Sequence, residues 1–98
     1  MEKLKVIFRK TKNPYTKENE IIAFFPEISA NYGNIMSYMH IGQSGEASME
    51  FYWNTTKAKK EEYESLFNEL KEIYNEYELV VRQRVTYDDL SNKAWKYN

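Results

Sequence analysis

A chain of 98 residues with 42% apolar and 16% aromatic side chains, but only three glycines and two prolines, has the composition of one folded domain and excludes a disordered or collagen-like chain. Fourteen basic against fifteen acidic side chains leave a net charge of −1, so no global basic field exists to hold nucleic acid non-specifically. The lack of cysteine excludes disulfides, thiolate metal sites and a cysteine nucleophile, and fits a reducing compartment.

Charge is nonetheless uneven. Lys3, Lys5, Arg9, Lys10, Lys12 and Lys17 stand against Glu2 in the first 17 residues, while residues 61–78 are acidic. The beginning, Met1-Glu2-Lys3-Leu4-Lys5-Val6, alternates charge with apolarity instead of building a signal peptide, and no run reaches transmembrane length. The expectation is a cytoplasmic protein without a membrane partner, in which the sequon Asn54-Thr55-Thr56 is a chance match.

Taken in chain order, Leu4, Val6 and Phe8 alternate with Lys3, Lys5, Ile7 and Arg9, the period of a half-buried strand. Residues 10–19 are polar around Pro14 and read as a loop. Residues 20–25 are apolar on both faces, as in a central strand, and Pro26 ends it. Asn31-Tyr32-Gly33-Asn34 signals a turn, Ile35 to Ile41 a third strand, Gly42 to Glu46 another turn, and Ala47 to Trp53 a fourth strand.

From about Lys59 to Asn75 the spacing predicts a long helix, with Tyr63, Leu66, Phe67, Leu70, Ile73, Tyr74 and Tyr77 on one stripe and Glu61, Glu62 and Glu64 near its positive end. Leu79, Val81, Gln83 and Val85 then alternate as a fifth strand. Thr86-Tyr87-Asp88-Asp89 resembles a capping box, with Asp89 in place of the usual Glu, opening a short C-terminal helix. The order ββββαβα gives an α+β fold. An antiparallel meander carries the long helix on one face, and the last strand joins beside the first.

With Leu4, Val6, Phe8, Ala23, Phe25, Met49, Phe51, Trp53, Leu79 and Val81 turned to the helix, the other face presents Ile22, Phe24, Tyr38, His40 and Tyr52, bordered by Lys3, Lys5, Arg82 and Arg84. Such a face can be an interface between copies, can be covered by the C-terminal helix, or can stack nucleobases between phosphate-binding cations. His40, the only histidine, lies next to the Gly42-Gln43-Ser44-Gly45 turn. A catalytic role would require a carboxylate such as Glu27, Glu46 or Glu50 within hydrogen-bond reach. One histidine with scattered carboxylates has no metal-ligand spacing, and Ser37, Ser44 and Ser48 lack the context of an activated nucleophile.

The segments Ala23-Phe24-Phe25-Pro26-Glu27, Met36-Ser37-Tyr38-Met39-His40-Ile41-Gly42-Gln43, Glu61-Glu62-Tyr63 with Leu66 and Leu70, and Tyr77-Glu78-Leu79-Val80-Val81-Arg82 together resemble a group of small uncharacterised proteins of bacteria, phages and mobile elements. That resemblance spans roughly residues 20–84. It implies an intracellular accessory protein, for which modulation of a host factor is one job, and it assigns no activity to any residue.

The first expectation is therefore a small non-catalytic protein that homodimerises or binds another protein through its Tyr-rich, aromatic sheet face, without a cofactor. Single-strand nucleic-acid binding is the second, with Phe24, Tyr38 and Tyr52 stacking bases while Lys5, Arg82 and Arg84 hold phosphates. A small enzyme centred on His40 is the third.

Overall fold

The alternation that opens the chain becomes the longest strand, β1 (Glu2–Lys12), in a computed structural model that describes residues 2–39, 43–86 and 89. The strand outlasts its apolar half. Lys10, Thr11 and Lys12 pair with Ile21, Glu20 and Asn19 of β2 (Asn19–Phe25), so the expected loop shrinks to residues 13–18. Asn13 organises that turn by accepting, through its side-chain oxygen, the N–H groups of Tyr15 and Thr16 at 2.8 and 3.1 Å.

Strands β3 (Asn34–Met39) and β4 (Gln43–Ser48) complete an antiparallel meander in the order β4-β3-β2-β1. The fourth strand thus begins earlier than expected, and Met49–Trp53, read above as its body, forms a short helix, α1. The Ser48 side chain accepts the Phe51 N–H at 3.0 Å, an N-cap that converts an alternating sequence into a helical turn. A two-residue strand, β5 (Thr56–Lys57), then pairs with Arg9 and Lys10.

The long helix, α2, spans Lys60–Ile73, where about 59–75 was expected. At 1.5 Å per residue its fourteen residues cover about 21 Å, enough to return the chain along β1 to the end where β1 begins. Strand β6 (Tyr77–Arg82) consequently runs parallel to β1, from Glu2↔Tyr77 to Ile7↔Arg82. The last strand does lie beside the first, but the sheet is mixed rather than wholly antiparallel. Because Ile7 pairs with both Phe24 and Arg82, β2 holds one edge of β1 while β6 and β5 share the other.

Alternation along β1 fills two cores. Leu4, Val6 and Phe8 meet Ala23, Phe25 and Tyr38 beneath Leu66 and Leu70 of α2, with Tyr63, Phe67, Leu79 and Val81 packed at the margin. Phe8 and Tyr63 stack with centroids 4.3 Å apart and planes 8° from parallel. On the opposite face Ile7, Ile22, Phe24 and Ile35 are covered by Tyr52 of α1 and by Val85. Val85 reaches this second core because β6 stops at Arg82, three residues short of the expected end.

The reciprocal hydrogen bonds of the expected Thr86–Asp89 box are present, Thr86 N–H to Asp89 at 2.9 Å and Asp89 N–H to the Thr86 hydroxyl at 3.3 Å. The C-terminal helix beyond it lies outside the described residues.

The Val85 amide is buried and donates to the Tyr52 hydroxyl at 2.9 Å, which ties α1 to the segment after β6. Tyr52→Phe keeps the ring but orphans this amide, so urea denaturation is expected to show a loss of about 1–3 kcal/mol; an unchanged midpoint would contradict the burial of that amide.

Candidate functional site

The proposed stacking aromatics are not available to a ligand. Phe24 is 0% and Tyr52 1% exposed, locked edge to face with centroids 5.1 Å apart in the second core. Tyr38, expected on the same face, pairs with Ala23 and so points to the α2 side, where its hydroxyl donates to Glu69. The physical reason is register: a strand's side chains alternate, and pairing Phe24 with Ser37 sends Ile35, Ser37 and Met39 to one face and Met36 and Tyr38 to the other. A base cannot stack on rings that are already enclosed, and the sheet-face platform is withdrawn with them.

The cations expected beside that platform separate as well. The Lys5 ammonium is 3.3 Å from the Asp89 carboxylate, and the Lys5 amide donates to Glu27 at 2.8 Å just beyond the end of β2. Arg82, at the end of β6 beside Ile7, and Arg84 are exposed. His40, the weak catalytic candidate, lies outside the described residues. Among the described residues no three of His, Asp and Glu are grouped to hold a metal ion, and no helix is long and apolar enough to cross a membrane.

Arg9 is the functional-looking cation that sequence reasoning passed over. Its guanidinium lies 5.0 Å from the Tyr52 ring centroid and donates to the Thr55 hydroxyl at 3.0 Å and the Thr55 carbonyl at 2.6 Å. These bonds pin the end of α1 to β1, which is a structural task.

With the central strands covered on both faces, the open features are at the edges. Among the described residues β4 pairs with β3 alone. Its sequence, Gln-Ser-Gly-Glu-Ala-Ser, contains one charge and neither Lys nor Pro, the residues that usually blunt an edge. That charge, Glu46, is held in place by the Asn31 amide at 2.9 Å and the Asn34 side chain at 3.0 Å. α1 follows without a break and turns Phe51 and Trp53 outward, 39% and 57% exposed.

Electrostatics tie down the chain after β6. Burial opposes ionisation of Asp89, but the Thr86 amide, the Lys5 ammonium and the Thr86 hydroxyl together outweigh it and hold the carboxyl below its ordinary 3.8.

In comparisons with known proteins, no family model matches the chain, and no curated protein or solved structure does so either. What the fold defines is a small α+β domain whose mixed sheet is buried on both faces at its centre.

A native pKa below the unfolded one stabilises the fold above the unfolded value, and this contribution disappears as pH falls through the lowered native value. Asp89→Asn should therefore be less stable than the parent at pH 7, with the gap closing below pH 3.8; urea midpoints of both proteins across pH 3 to 7 check this, and a gap that persists at the acid end would contradict it.

Proposed function

We propose that this chain is a non-catalytic accessory domain that associates with a second copy of itself through the free edge of β4. The single observation behind this is a six-residue terminal strand, without Lys or Pro, that among the described residues is paired along one edge only. Two such edges meet most simply about a two-fold axis normal to the sheet, which joins them antiparallel and keeps like faces together. Centred on Gly45, that pairing sets Glu46 opposite Ser44 of the second copy, so no like charges oppose one another. Phe51 and Trp53, adjacent in sequence, supply the kind of aromatic surface that anchors protein interfaces.

The resemblance to small proteins of bacteria, phages and mobile elements supports an intracellular setting for this role, and we place the domain in the cytoplasm. Homodimerisation by the sheet face is replaced here by association through its edge.

Light scattering across a hundredfold range of concentration should show twice the mass of the chain at the upper end. Ser44→Glu would oppose Glu46 twice in the symmetric pair and weaken association about tenfold, whereas Ser44→Lys would preserve or strengthen it. A monomer at every concentration sinks the proposal, as does a dimer indifferent to both substitutions.

A further inference from the structure

A cleft of about 500 Å³ opens at the sheet edge where β5 and β6 divide the edge of β1, beside the start of α2. Its walls include Lys57, Lys59, Lys60 and Arg82, contributed by β5, the connection to α2, the first residue of α2 and the end of β6. No carboxylate lines it. Glu62 borders this rim: it accepts from the Lys10 ammonium at 2.9 Å and from the Lys59 backbone amide at 2.8 Å, and the Lys59 charge helps to hold its carboxyl below the ordinary value. None of the four lining cations forms an ion pair among the described residues. Four like charges gathered around one concavity, offset in part by Glu62 beside Lys59, repel one another, and a bound anion relieves that repulsion.

Between these cations the surface is apolar and aromatic. Tyr63, half-buried, lines the cleft with one side of its ring backed by Phe8 in a parallel stack, so its position is fixed by the core rather than by solvent. A rigid ring beside a multivalent cationic rim matches a ligand with a planar body and a multiply charged end, and the volume is that of a small-molecule site rather than of a protein interface.

We infer that this cleft binds a mononucleotide-like organic phosphate, its phosphates held by Lys57, Lys59, Lys60 and Arg82 and its ring laid against Tyr63. The site is separate from the β4 edge, which is at the far end of the strand order, so occupancy does not depend on self-association.

The test is calorimetric titration of the full chain with ADP, pyrophosphate, adenosine and a short single-stranded oligonucleotide at low and high salt. Saturable ADP binding is expected, tighter than that of pyrophosphate or adenosine and weakened by salt. Lys59→Gln combined with Arg82→Gln, both at exposed positions, should weaken ADP at least about tenfold with an unchanged thermal midpoint. Lys12→Gln combined with Lys17→Gln, outside the cleft and equal in charge removed, should leave ADP affinity as it was.

Absence of ADP binding overturns the inference. Equal affinity for pyrophosphate and ADP overturns the role of the ring, equal loss in both double variants reduces the effect to overall charge, and tighter binding of the oligonucleotide gives the cleft to a nucleic-acid strand instead.

Discussion

Tyr52 meets three parts of the chain at once, and the second face of the sheet depends on that meeting. Its ring closes over Phe24, receives the Arg9 guanidinium on its face, and contacts Trp53 edge-on, while its hydroxyl accepts the Val85 amide. With Val85 and the partly buried Met49 it covers Ile7, Ile22, Phe24 and Ile35, since α2 is committed to the other side. Its carbonyl is used too, accepting the Thr55 hydroxyl at 2.6 Å, and Thr55 in turn holds Arg9. A five-residue helix is too short to persist alone, so α1 is maintained by this anchoring and by its Ser48 cap.

Burial of both faces at the centre of the sheet moves recognition to the rims. β1 is paired along most of its length, on one edge by β2 and on the other by β6 and β5, and serves as the interior spine. The meander leaves β4 as the terminal strand, and the division of the far edge of β1 between β5 and β6 leaves a concavity at their junction. A mostly polar strand edge offers backbone hydrogen bonds, and a cationic cleft offers charge. These two surfaces suit different ligands because they present different chemistry.

Much of this architecture is written in the residues, and the failures have identifiable causes. The stripe of Tyr63, Leu66, Phe67 and Leu70 announces α2, and the alternation of Leu4, Val6 and Phe8 announces β1, because each pattern fits one period only. Ala47 to Trp53 fits two. Its alternate apolar residues suggest a strand, yet Ser48 as cap, Glu50 in the first turn, and Met49 with Tyr52 three apart already spell a helical turn with one buried side. The face of Tyr38 was not legible, since Ile35, Met36, Tyr38 and Met39 are apolar on both sides of β3 and only the pairing with β2 chooses between them. The cleft was equally hidden. Lys57, Lys59 and Lys60 read as the solvated start of a helix, and Arg82, distant in sequence, joins them only because β6 lies parallel to β1.

The central claim is that Tyr52 seals a second core, so that the centre of the sheet is buried on both faces. Amide hydrogen exchange at Val85 tests it most directly, because that N–H is shielded only if α1 lies on the sheet and the tyrosine hydroxyl reaches it. The account predicts slow exchange, approaching that of the central amides of β1 and β2. Exchange at Val85 as fast as in the exposed 13–18 loop would contradict it, and would return the face of Ile22 and Phe24 to solvent.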